Sequence, residues 1–145
     1  RSYLRLLNNN KILNNIYMSA IYIIKSDLVP ECYVGSCKNF IARRGVHRSI
    51  CNKGSDNRKL YNFIRANGGW SVWKMDILCS CEGLSKIERH ILESEYTTEY
   101  GATLNSYKSG ACFKDTPTAR YYMKNRETIL QNKKLYYENK KTSNV

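Results

Sequence analysis

Two phenols, a guanidinium and an imidazole lie close together near the start of the chain, at Tyr22, Tyr33, Arg43 and His47. A phenol or an imidazole can take and pass a proton, and a guanidinium offers a planar, permanently charged fork to an anionic oxygen. Those are groups that hydrolysis of a phosphodiester calls on: activation of an in-line nucleophile, stabilisation of charge on the phosphoryl oxygens, and protection of the departing alkoxide. The surrounding charge points the same way. From Arg43 to Arg65 there are seven basic residues (Arg43, Arg44, Arg48, Lys53, Arg58, Lys59, Arg65) against one acid, Asp56. A charge run usually means a solvated face. Beside two tyrosines and an Arg-His pair it reads as a footprint for a phosphate backbone.

The elements that must position these groups follow from local pattern. Ala20 to Ile24 and Glu31 to Gly35 are β-branched and aromatic, and the polar link Lys25 to Pro30 suits a hairpin loop between two strands. Gly35 ends the second strand where the backbone must turn. The spacing then predicts a helix over Asn39 to Ser49, with Arg43 and His47 one turn apart on one face. A second helix is expected over Asn57 to Ala66, capped by Ser55 or Asp56, with Leu60, Phe63 and Ile64 on its buried side. Asn67-Gly68-Gly69 stops it. The alternation from Trp70 to Leu78 predicts a third strand, with Trp73, Met75, Ile77 and Cys79 sharing one side. Ser85 and Glu88 have capping-box spacing, so a helix should run from Lys86 towards Tyr100, packing Ile87, Ile91, Leu92, Tyr96 and Tyr100 on the sheet. Gly101 ends it, and Ala102 to Tyr107 brings the amide of Asn105 back to the core.

The tripeptides Ala20-Ile21-Tyr22 and Tyr33-Val34-Gly35 resemble the pair that names the GIY-YIG nuclease family. Further spacings carry the resemblance: Arg43 eight residues beyond Gly35, His47 four further on, and Glu93 about twelve residues before Leu104-Asn105. On its own, Glu93 among Glu88, Glu95 and Glu99 reads as a solvated surface acid; its spacing to Asn105 makes it a candidate metal ligand. The resemblance covers roughly Met18 to Lys108. It implies an α/β (α+β) core, a small three-stranded antiparallel sheet flanked by helices, and metal-dependent cleavage of DNA. It further implies that Glu93 holds one divalent ion, magnesium first and manganese second, and that Arg43 binds the phosphate. Tyr22 is the first choice of general base and His47 its rival or helper. Tyr33 bonds within the site or contacts phosphate, with Gly35 and Asn105 in support. Two positions depart from the pattern. Ala20 replaces the first glycine, which would narrow the backbone if metal or DNA passes close by. Ser36 stands where the excision-repair branch carries a lysine, which favours phage-like, intron-encoded or restriction-like members.

A chain of 145 residues buries one core plus an appendage. We therefore expect an extension over 1–17, a nuclease domain over 18–112 and a basic helical tail over 113–145. No apolar run is long enough to span a membrane and the start lacks a secretion signal, so the expected setting is intracellular. The six cysteines read best as reduced thiols, because the spacings Cys32-x4-Cys37 and Cys79-x-Cys81 miss the paired pattern of zinc sites. Formal charge is +12, and residues 113 to 145 hold eight basic residues against three acids. There, apolar pairs recur every seven residues at Tyr122-Met123, Ile129-Leu130 and Tyr136-Tyr137, after a Thr116-Pro117 start signal. Such a helix packs back on the nuclease, lies along DNA or pairs with a second copy. With double-stranded DNA as the expected partner, Arg44, Arg48, Lys53, Arg58, Lys59, Lys124, Lys133 and Lys134 are the candidate contacts. The readings carried forward are a homing or selfish-element endonuclease, a structure-specific repair or recombination nuclease, and a non-catalytic DNA-binding module.

Overall fold

The apolar run at residue 20 becomes the middle of the sheet. In the computed structural model, which describes residues 18–106 and 117–143, β1 (Ala20–Ser26) lies between β2 (Val29–Cys37) and β3 (Lys74–Ser80), and both pairings are antiparallel. A central strand covered on both faces must be apolar at nearly every position, and only Lys25 of β1 is exposed. The hairpin is tighter than the sequence reading expected. Both strands extend to a turn at Asp27-Leu28, because Ser26 pairs with Val29 and its hydroxyl accepts the amide of Leu28 within the turn while donating to the carbonyl of Val72, just ahead of β3.

On one face Ala20, Tyr22 and Ile24 pack against α1 (Phe40–Lys53) and α2 (Lys59–Ala66). On the other, Ile21, Ile23 and Val34 pack against Leu92 and Tyr96 of α3 (Lys86–Glu99). Asn39 caps α1 by accepting the amide of Ala42 at 3.0 Å, and Gly54 closes it at φ 71°, so the helix runs four residues beyond the expected Ser49. The expected cap of α2 is displaced: Asp56 accepts the amide of Arg58, just before the helix, and also binds the Arg58 guanidinium. Ser85 and Glu88 do form the capping box of α3.

Two local readings of the third strand are corrected. Trp70–Val72 is a 3-10 turn and the strand starts at Lys74. The pairing with β1 then slips by one residue, Ile21 facing Cys79 while Tyr22 faces Ile77, so Leu78 is a bulge. One inserted residue reverses the side-chain alternation. Trp73, Met75 and Ile77 join the α1 face, whereas Cys79 and Cys81 turn to the α3 face. Five cysteines, Cys32, Cys37, Cys51, Cys79 and Cys81, are free and buried; Cys112, the extension 1–17 and the Thr116 cap lie outside the described residues.

The tail forms α4 (Pro117–Ser143). Its Ala119, Tyr122 and Ile129 cover Ile87 and Ile91, which therefore face α4 instead of the sheet, while Tyr100 stays exposed. Ion pairs fix the two helices: Arg126 to Glu95, and Lys133 to Glu88 at 2.5 Å, with Lys133 also donating to Gly83 O at 2.9 Å. Lys133, a candidate DNA contact, is thus engaged within the protein. Lys124 and Lys134 are exposed, Lys134 reaching Glu138 one turn on at 3.9 Å.

Candidate active site

The antiparallel register sets Tyr22 directly opposite Gly35 and Ile24 opposite Tyr33, so both phenols stand on the α1 face of the sheet. Gly35 is where they meet. A Cβ built there would lie 2.6 Å from the Tyr22 hydroxyl and 2.8 Å from a ring carbon of Tyr33, closer than any side chain tolerates. The glycine is required by the space the two rings occupy. Ala20, by contrast, is wholly buried in the sheet between Cys37 and Ser80, so its methyl group fills core and narrows no opening.

On α1, buried positions fall at Phe40, His47 and Cys51, a stripe that carries His47 inward. Arg43, one turn earlier, sits on the exposed flank. The His47 ring is 4% exposed and lies between two phenols: Nε2 is 2.8 Å from the Tyr22 hydroxyl and Nδ1 is 2.9 Å from the Tyr61 hydroxyl. The Trp70 ring stacks on it at 6.4 Å between centroids. Burial, together with the charges of Arg43 and Arg58, lowers the His47 pKa to about 4. The imidazole is therefore neutral near pH 7, with one nitrogen donating and the other accepting, and it bridges the two hydroxyls in either tautomer.

Tyr61 was not among the expected site residues. In the sequence it is one more aromatic on an amphipathic helix, and its partner lies fourteen residues earlier. Arg58 lies over its ring at 5.1 Å.

Burial and the neighbouring Tyr33 raise the pKa of Tyr22 far above the ordinary phenol value, against the pull of Arg43. Tyr22 is 1% exposed. Burial, then the charge of Glu93, also raises Tyr33, while a hydrogen bond with Tyr22 and the charge of Arg43 oppose this. Tyr33 is the more open of the pair. It lines a cleft of about 430 Å³ together with Arg43, His47, Arg58, Glu93 and Asn105. Tyr22 lies behind that wall.

Glu93 reaches the cleft from α3, half-buried, and forms no ion pair among the described residues. No group of three His, Cys, Asp or Glu capable of caging a metal occurs among them. One carboxylate in a polar cleft suits a hard cation that keeps most of its waters, and does not suit zinc, which needs a full protein ligand set. The Asn105 side chain is bonded twice to Val34, donating to its carbonyl at 2.7 Å and accepting its amide at 3.1 Å. It grips β2 between Tyr33 and Gly35. Among the remaining candidates, Arg44, Arg48 and Lys53 are exposed on α1, Arg58 pairs with Asp56 at 2.7 Å, and Lys59 donates to Thr103 O at 2.5 Å.

The state of His47 has a measurable consequence. An unfolded chain binds a proton at His47 below the ordinary pKa of 6.5, whereas the folded protein refuses it until about pH 4. This group's contribution is present above 6.5 and is lost as pH falls through that window, by about 3 kcal/mol in all. We expect urea-unfolding free energies of the wild type to fall more steeply with acid than those of His47→Gln. Equal slopes would mean that the imidazole is not held neutral.

No curated protein sequence matches this chain. A family model described as the GIY-YIG catalytic domain matches residues 18–108, more than half of the chain. Among solved structures, the catalytic domain of homing endonuclease I-TevI is similar, with 29% identity and a TM-score of 0.53 over 61% of this chain and 95% of that one. A glutamate-to-alanine variant of the same catalytic domain, described as from intron endonuclease I-TevI, gives 28% identity and a TM-score of 0.53 over 62% of this chain and 91% of that one. The matched span takes in both tripeptides, Arg43, His47, Glu93 and Asn105, and on that footing the chain belongs to the GIY-YIG family and is a nuclease.

Proposed function

We propose that this nuclease is a homing-type endonuclease that hydrolyses phosphodiester bonds of double-stranded DNA with one divalent ion, magnesium or else manganese, at Glu93. The observation that carries the reading is the convergence of Tyr33, Arg43, His47 and Glu93, from three separate elements, on one cleft. Similarity to the catalytic domain of a homing endonuclease supports the type.

Arg43, exposed at the rim, offers its fork to the non-bridging oxygens of the scissile phosphate. Tyr33 lines the same cleft and meets the phosphate or the attacking water. Tyr22 was expected to be the base. Lying behind the wall, it acts one step back, passing a proton between Tyr33 and the neutral His47, which Tyr61 orients through the other ring nitrogen. A divalent ion bound at Glu93 supplies positive charge for the phosphoryl oxygens and the departing alkoxide. The test is supercoiled plasmid incubated with magnesium, with manganese and with chelator. Relaxed or linear product only with metal is expected. No product under any condition overturns the reading, and undiminished cutting in chelator overturns the role of Glu93.

A further inference from the structure

Beside the catalytic cleft, on the other side of Arg43 and Val46, a second groove of about 500 Å³ opens between the β2–α1 turn and α3. Its walls carry Ser36, Lys38, Asn39, Arg43, Arg89 and His90, and no carboxylate lines it. Two acids of α3 have cation partners, Glu88 with Lys133 and Glu95 with Arg126, and both partners come from α4. Arg89 is half-buried and forms no ion pair among the described residues. A half-desolvated guanidinium without a counterion is stabilised by whatever anion reaches it. The geometry also relates the two cavities. Arg89 and Glu93 are four residues apart, so they share one face of α3 a single turn from each other. Arg43 borders both cavities.

We propose that this groove is a second phosphate site, in which Arg89 and Lys38 hold the backbone of the nucleic acid next to the scissile phosphate. The inference rests on the proposed DNA cleavage and says where the strand runs: from the Glu93 cleft, past Arg43, into the groove. A chain of phosphates fits this better than a single anion, because the two cavities are adjacent and share a cation. Contacts of this kind position the strand and carry no base specificity.

The experiment begins by mapping a cut made by the wild type in a duplex. Each phosphate flanking that cut is then replaced in turn by a neutral methylphosphonate, and binding is measured for the wild type, Arg89→Ala and Lys38→Ala. Loss of each side chain should weaken binding on the order of 10-fold and flatten the dependence of log affinity on log salt by about 0.9. One flanking methylphosphonate should weaken the wild type and leave Arg89→Ala unaffected. Wild-type salt slopes in both variants, or a methylphosphonate effect undiminished in Arg89→Ala, overturns the proposal while leaving the nuclease reading intact. A wild type that neither binds nor cuts DNA overturns both.

Discussion

Replacing Glu93 by glutamine is expected to lower single-turnover cleavage by a factor on the order of 10³ or more, with folding unimpaired. The amide fills the same volume but ligates a hard cation poorly. Because Glu93 forms no ion pair among the described residues, its charge can be removed without stranding a partner. DNA affinity should hold or rise slightly, since a negative charge leaves a cleft that faces phosphates. Three readouts therefore separate: rate down, melting temperature flat, affinity flat or up. Cutting at the wild-type rate with magnesium would return Glu93 to the status of an ordinary acid on a helix.

Gly35→Ala is expected to cost at least about 100-fold in rate, although the residue carries no chemistry of its own. The added methyl would fall on the Tyr22 hydroxyl and the Tyr33 ring at once, so the two phenols must separate or the strand must shift. Overpacking of this kind also costs about 1–3 kcal/mol of stability. The cause can be isolated. Tyr22→Phe removes the atom nearest the new methyl, so the double variant should be destabilised by less than the sum of the single ones. Strict additivity would show that the Tyr22 hydroxyl is not what the added methyl strikes.

The parts of this site that were legible in the sequence are those joined by short spacings. Arg43 and His47 are four residues apart on a helix whose cap and stop are ordinary, and the two tripeptides sit on strands that a short turn makes neighbours. Their resemblance to a known family extended the reading to Glu93 and Asn105. What escaped was set by tertiary contact or by a single-residue irregularity. The bulge at Leu78 has no signature in composition, yet it sends Cys79 and Cys81 to the opposite face from Ile77. Trp70 to Val72 continues the alternation of a strand, but its backbone closes a 3-10 turn with Trp73 N bonded to Trp70 O. Tyr22 and Tyr33 look equivalent in the sequence; they differ in access because Tyr22 is on the central strand β1 and Tyr33 on the outer strand β2. Tyr61 enters the site only because α2 packs beside α1, and nothing local to it announces a hydrogen bond to an imidazole.

Asn105 has a second consequence. With β1 in the middle, the outer rim of β2 is a free edge, and an open row of backbone amides and carbonyls is a template on which another polypeptide can lay a strand. The Asn105 side chain occupies both the amide and the carbonyl of Val34, and the amide of Leu104 takes the carbonyl of Cys32. A side-chain amide and one backbone group thus stand in for a fourth strand. The residue that steadies the tyrosine-bearing strand thereby also closes this stretch of the β2 edge to an incoming strand.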